Sequence, residues 1–477
     1  MSLMASPTPT AAEQVDRLLD RIASVDAAGP TLRSVIETNP DAREVADALD
    51  EERHDGRVRG PLHGVAVLVK DNIDTADRML TTAGSLALTA NRPLADAPVV
   101  ARLRAAGLVL LGKTNLSEWA NLRSPHSSSG WSARGGQTVN PWDTSRSPGG
   151  SSSGSGVAVA AELTPLAVGT ETDGSIVCPA SLNGVVGIKP TVGLLPGAGI
   201  VPIAHSQDAA GPMARSVHDA AALLEVLSGR SGFVDACTVE AAAEGLNGFR
   251  IGVARASFGA HVGTDAVAER ALGLLSAAGA TLVDPADLPT FPSYDAGDDE
   301  LTVLLHELKQ DLSAYLAGRP EGTPRDLAEL IAFNQVNAGT ELAWFGQEFF
   351  EQAERLGGLD DPAYLTALER GRRRAGAEGI DAAVAQHALQ AFVAPAYSPA
   401  WKIDQVNGDQ MTGGQVTTLP AIAGYPLLSV PMGLVHGLPV GLAVFGPAGS
   451  EAVLIRIAHV VEQRLGLVRD GALVPPI

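Results

Sequence analysis

The stretch SPGGSSSGSG at residues 147–156 sets the hardest condition on how this chain folds. Its composition is that of a flexible tether, yet no charge run or composition shift flanks it. It continues directly into VAVAAELTPLAVGTETDGS (157–175), an apolar sequence that has to be buried. Five serines and four glycines in front of a core segment must themselves be packed, with hydroxyls and backbone groups hydrogen-bonded. The alternatives are a linker and a site lined by backbone.

The surrounding pattern favours a layered α/β fold. Val15, Leu18, Leu19 and Ile22 recur at three- and four-residue steps and give residues 11–50 a helical period. PLHGVAVLVKDNID (61–74) is a near-continuous apolar strand ending in charge. VVARLRAAGLVLLGKTN (99–115) predicts a helix, a stop at Gly107 and a strand, with Asn115 as N-cap of a helix over LSEWANL. GFRIGVAR (248–255), a helix near 265–278 and ATLVD (280–284) form a βαβ-like unit. Late strands follow at AFVAPAY (391–397), PLLSVPMG (426–433) and PVGLAVFG (439–446), then a helix over 450–465. Apolar strands alternating with helices imply a sheet buried on both faces. Residues 285–385 are more polar and mostly helical, in the manner of a cap.

Composition removes several classes of function. A net charge of −20 with no basic stripe excludes a nucleic-acid footprint; RGRRRAG (370–376) reads as a solvated helix face. Cys178 and Cys237 make neither a disulfide framework nor zinc spacing, which suits a reducing cytoplasm, and Cys178 reads as a small buried hydrophobe. No signal peptide is visible at the N-terminus, and no apolar run approaches the ~20 residues of a membrane span. The ten histidines form no spaced metal pair.

Three chemistries compete for the serine tract. Gly150-Ser151-Ser152-Ser153-Gly154 matches the nucleophile elbow G-x-S-x-G with Ser152 at its centre, but NPWDTSRSPGG before it is turn sequence where that motif needs a strand. A phosphate loop lacks its Gly-Lys-Ser/Thr. A serine hydrolase with lysine as base remains. Its S-x-x-K form is absent, since Val67, Leu110, Val186, His306 and Pro399 precede the five lysines by three.

The segment GGSSSGSGVAVAAELTPLAVGTETDGSIVCPASLNGVVGIKPTVG resembles the signature of the amidase signature family. LVKDN, LGKTNLSEWAN, SQDAAGPMARSVHDAA, GYPLLSVPMG and GLPVGLAVFG extend the resemblance over most of residues 60–230 and 390–465. NLSEWANLR, GWSARGGQT and GTETDGSIVCPAS are most similar to the bacterial peptide amidases, which remove the C-terminal amide of peptides. The length alone would hold about three domains. The resemblance implies instead one α/β/α domain over 1–477, with a mixed central β-sheet covered by helices. The signature core would span about 60–230 and 390–465, and residues 285–385 would form a variable helical region at the substrate entrance.

The resemblance implies Ser175 as nucleophile, Ser151 as bridging serine on a cis Gly150–Ser151 peptide, and Lys70 as base. Backbone N–H groups of Thr172, Asp173, Gly174 and Ser175 would form the oxyanion hole, with Gly150, Ser152 and Thr170 in support. Thr170 and Glu171 read equally as partners of the site or as loop residues, and Lys113 and Lys189 as structural. The physics agrees with a serine–lysine pair. A serine hydroxyl needs activation, and a lysine buried at the end of an apolar strand is pushed toward its neutral, basic form. A hydroxyl such as Ser151 both accepts and donates, so it can relay the proton.

Many family members carry an arginine two or three positions after the nucleophile. Val177 and Cys178 stand there in this chain, which favours neutral substrates over those with a free carboxylate. The expected partner is a small-molecule or peptide amide, with no cofactor, no metal, no nucleic acid and no membrane; monomer and homodimer stay open. The alternatives are the amide-hydrolysing component of a tRNA-dependent amidotransferase, a Ser-His-Asp α/β-hydrolase and a catalytically inactive binding protein.

Overall fold

A computed structural model describes residues 9–291, 296–414, 416–468 and 470–477. Thirteen strands are present among them: β1 (Val35–Thr38), β2 (Ala66–Lys70), β3 (Val109–Thr114), β4 (Trp131–Ser132), β5 (Gly136–Gln137), β6 (Leu166–Glu171), β7 (Val186–Lys189), β8 (Ala209–Ala214), β9 (Arg250–Val253), β10 (Thr281–Val283), β11 (Ala391–Pro395), β12 (Leu427–Val435) and β13 (Leu438–Phe445). β4 and β5 make a small hairpin, and the other eleven form one mixed sheet in the order β1-β3-β2-β6-β8-β7-β12-β13-β11-β9-β10. The expected α/β architecture, a mixed central sheet under helices, is what the chain adopts.

Period-two alternation explains why both faces are covered. On β2, Val67 and Val69 join the core that holds Val99, Leu103, Leu223, Leu227 and Leu454, from the helices Pro98–Ala105, Val217–Ser228 and Glu451–Leu465. Ala66 and Leu68 point to the other side, into a core with Val15, Leu18, Ala46, Leu49, Val157 and Val159. Those come from the helices Ala11–Arg21, Ala42–His54 and Ser153–Ala160. Lys70 is the next residue in that second series.

Two local expectations are corrected. The helical period of 11–50 is interrupted by the edge strand β1, which pairs antiparallel with β3. Asn115 caps no helix. Its Nδ2 donates to Gly136 O (3.1 Å) and Thr138 Oγ1 (2.9 Å), and its Oδ1 accepts from Ser132 Oγ (2.7 Å). The chain after it makes only a short turn, Glu118–Asn121, in which Trp119, Ala120 and Asn121 take positive φ. The strands expected within 61–74, 391–397, 426–433 and 439–446, the strand–helix–strand unit over 248–284 and the final helix are present, and the described part of 285–385 is mostly helical, from Ala296–Ala317 onward. Residues 292–295 of that stretch and 1–8 of the N-terminus lie outside the described residues. Arg370 of the arginine-rich segment pairs with Asp299 at the end of the helix Pro362–Arg372. Among the described residues no helix is long and apolar enough to cross a membrane.

Candidate active site

β2 and β6 are parallel neighbours with Val69 opposite Val168, so Lys70 and Thr170 finish side by side at the carboxyl ends of their strands. Open α/β sheets place their ligands at such ends. The serine tract crosses this edge and turns into the helix Ser153–Ala160. Ser151, Ser152, Ser153 and Ser155 are all fully buried, so the tract is core, not tether. Glycine is needed for the approach: a Cβ on Gly154 would lie 2.2 Å from Ser34 O and 2.5 Å from Asn115 O. The Gly150–Ser151 peptide is cis.

Lys70 Nζ sits among four oxygens: Ser151 Oγ at 2.8 Å, Thr170 Oγ1 at 2.9 Å, Ser152 Oγ at 3.1 Å and Thr170 O at 3.2 Å. Ser152 is already committed, since its hydroxyl donates to Thr170 O (2.9 Å) and accepts the Thr170 N–H (3.1 Å). Thr170 Oγ1 also accepts from Asn72 Nδ2 (3.0 Å). Ser151 is different: its proton has no acceptor other than Lys70 among the described residues. Complete burial lowers the Lys70 pKa to about 7, against the opposing pull of the Asp208 and Glu171 carboxylates. A neutral amine there spends its N–H groups on Thr170 and Ser152 and turns its lone pair to the Ser151 hydroxyl.

Ser175 follows the arch 172–174 that leaves β6. Its carbonyl accepts the Ser152 N–H (3.0 Å), tying the two loops together. Ser151, Thr170, Thr172 and Ser175 share the wall of one cavity of about 420 Å³. Glu171, the last residue of β6, anchors the turn that follows it. Its Oε2 accepts the N–H groups of Ile176 (2.6 Å) and Val177 (2.9 Å) and folds the chain back on itself. Thr172 Oγ1 donates to Asp208 Oδ1 (2.6 Å), and Asp173 Oδ2 accepts from Thr418 Oγ1 (2.9 Å). With those side chains pinned, the backbone N–H groups of Thr172, Asp173, Gly174 and Ser175 have no protein acceptor among the described residues. Fixed donors of this kind are what an oxyanion requires.

Gly174 has φ +74°, and a Cβ on it would meet Tyr397 Oη at 2.4 Å. Gly174→Ala is therefore expected to tilt the arch and cut kcat by ~10²–10³, the usual cost of a misplaced oxyanion donor, with KM changed far less. Steady-state kinetics beside a thermal melt check this; a folded Gly174→Ala enzyme at wild-type kcat would remove the arch from the chemistry.

The other lysines lie where a structural role puts them. Lys113 donates to Ile73 O (2.6 Å) and Thr81 Oγ1 (2.9 Å). Lys189 is buried, its pKa lowered to about 8 by that burial against the carboxylates of Glu171 and Asp173. Cys178 and Cys237 are buried free thiols. No histidine hydrogen-bonds to Ser151, Ser152 or Ser175 among the described residues. His205 nevertheless lies on the cavity wall, with Nδ1 2.8 Å from Asp311 Oδ2 and 3.4 Å from Glu307 Oε2. Sequence reasoning did not single out this cluster, which no local motif marks, and it includes Asp208 only as part of SQDAAGPMARSVHDAA, with no role assigned to it.

Comparisons with known proteins agree on the family. The family model described as Amidase matches residues 13–455. The structure of a native peptide amidase from Stenotrophomonas maltophilia is 49% identical with a TM-score of 0.90, covering 97% of this chain and 95% of that one. A probable amidase of Arabidopsis thaliana is 38% identical over 472 residues, 95% of this chain and 86% of its own length. A putative amidase of Schizosaccharomyces pombe is 34% identical over 494 residues, 96% of this chain and 82% of its own.

Proposed function

The chain belongs to the amidase family and hydrolyses amide C–N bonds, and from that premise we propose that it releases ammonia from the C-terminal carboxamide of peptides or from similar neutral amides. Ser175 is the nucleophile, Ser151 the relay, Lys70 the base, and the N–H groups of 172–175 the oxyanion donors. The observation that carries this is the 2.8 Å contact between Lys70 Nζ and Ser151 Oγ, at the edge of the cavity that also holds Ser175.

The Ser175 oxygen attacks the carboxamide carbon while its proton passes through Ser151 to neutral Lys70. The negative charge that develops on the carbonyl oxygen meets the N–H groups of the arch. Collapse breaks the C–N bond, and the proton returns from Lys70 through Ser151 to the departing nitrogen, which leaves as ammonia. A water molecule then cleaves the Ser175 ester by the same relay run again, giving the carboxylate and free enzyme. Residues 1–477 act as one domain in this scheme, and the reducing cytoplasm suits its two unpaired cysteines.

Glutamine, the substrate of the amidotransferase alternative, brings a carboxylate into a cavity lined by Asp208 and Asp311 and, among the described residues, by no arginine or lysine. Neutral amides carry no such penalty. Ammonia release from peptide amides, simple aliphatic and aromatic amides, fatty amides and glutamine tests the substrate class. Peptide amides should lead and glutamine trail; the reverse order would favour the amidotransferase-type chemistry. His205→Ala is expected to lose far less activity than Lys70→Ala in the same assay. Equal losses, with both proteins folded, would move the base to the His205–Asp311 pair.

A further inference from the structure

The cavity walls are unevenly charged. Asp208 and Asp311 line them, while the lining holds neither arginine nor lysine among the described residues. Asp208 is taken up by structure: Oδ1 accepts from Thr172 Oγ1 and Oδ2 accepts the N–H groups of Ile203 (2.8 Å) and Ala204 (3.0 Å). Asp311 is held from one side only. The His205 backbone N–H (2.9 Å) and Nδ1 (2.8 Å) both fall on Oδ2, which leaves Oδ1 with no partner among the described residues. Its side chain is 20% exposed, enough to reach a ligand and shielded enough for charge to count.

Asp311 stands on the helix Ala296–Ala317, one turn before Ala314 and Tyr315, which also line the cavity. That wall is tied to the chain that follows β2, because Tyr315 Oη donates to Asp74 Oδ1 (2.8 Å). Arg319, one turn further along the chain, is engaged by Asp74 Oδ2 (2.7 Å) and stacks on the Tyr315 ring. Its charge is therefore spent on Asp74, and the partner of Asp311 is the His205 ring. Small Ala314 leaves room beside the carboxylate.

We infer that Asp311 is a specificity-determining residue that binds an ammonium group of the amide substrate, so that peptide amides with a cation near the scissile carboxamide are preferred over neutral ones. This rests on the active site proposed above. The ammonium can be the free α-amino group of a short peptide amide or a lysine side chain, and both present the same chemistry to a carboxylate.

Two pairs of substrates separate the sources, with kcat/KM for ammonia release as readout. One pair is a dipeptide amide and its N-acetyl form; the other is two N-acetylated dipeptide amides differing by lysine against glutamine. Wild type should favour the cationic member of at least one pair by about tenfold, less in about 0.5 M salt. Asp311→Asn should bring that ratio close to one, Asp311→Lys should reverse it, and Asp311→Glu should keep most of it. Collapse in the first pair assigns the α-ammonium, and collapse in the second the side chain; either supports the inference. Ratios equal in wild type and Asp311→Asn for both pairs, or an equal fall for all four substrates, would overturn it. Ser175→Ala run alongside separates the two failures. A Ser175→Ala enzyme with its turnover all but lost and unmoved wild-type ratios sinks the Asp311 assignment alone, whereas a Ser175→Ala enzyme with turnover close to wild type sinks the active site.

Discussion

Ser175→Ala is expected to lower kcat for peptide-amide hydrolysis by ~10⁴ or more while leaving a folded protein. Ser175 alone would form the acyl-enzyme, and without it only bound water and the arch donors remain to act on the carbonyl. The cost to the fold is small, because the loops are joined through the Ser175 carbonyl, which accepts the Ser152 N–H, and the substitution leaves that carbonyl in place. The melting temperature should stay close to wild type. A fluorophosphonate should label the wild-type chain at Ser175 and leave Ser175→Ala unmodified. Stoichiometric labelling of the variant at Ser152 would restore the elbow reading of the tract. Geometry argues against that outcome, since the Ser152 hydroxyl is buried and spent on Thr170.

What the sequence made legible follows from how local each signal is. β2 shows as an apolar run because both of its faces are covered, and Lys70 stands out as the charge that ends it. The serine tract announces burial through the apolar stretch that follows it without a break. The parts that could not be read arise from contacts between distant segments. β1 is four residues long and owes its strand form to β3, more than seventy positions away, so the helical period on either side conceals it. Asn115 has the residue type of a helix cap, yet its amide is claimed by Gly136, Thr138 and Ser132, and tertiary bonds outweigh the local preference.

The cavity walls were least legible. His205, Asp208, Asp311 and Tyr315 meet only because the segment before β8 and the helix Ala296–Ala317 pack over the ends of β2 and β6. Asp208 sits in the SQDAAGPMARSVHDAA segment, but nothing there tells that its carboxylate faces a cavity, and the other three lie in no motif. Glu171 is an intermediate case: a carboxylate five and six residues before the first N–H groups of the helix Val177–Asn183 is a local anchor for them. That spacing is visible in the sequence once the turn between strand and helix is recognised.

Lys70 carries the other large effect, and its test is the protonation state. Below its pKa of about 7 the amine holds a proton, is positive and cannot accept another. Above it, the amine is neutral and can. The kcat/KM of the wild type should therefore rise with pH through one ionisation near 7 and then level off, falling about tenfold per unit on the acid side. Asp208 opposes the burial that lowers this pKa, so Asp208→Asn should move the acid limb to lower pH. Lys70→Ala should lose ~10³-fold or more and the limb with it. Lys70→Arg should fail nearly as badly, because a guanidinium keeps its proton throughout this range. Ser151→Ala breaks the relay but keeps the nucleophile. Combined with Lys70→Ala it should add little, since groups that pass one proton act as a unit. Clean additivity of the two losses, or a Lys70→Arg enzyme close to wild type, would mean that Lys70 only holds Ser151, Ser152 and Thr170 in place while another group takes the proton.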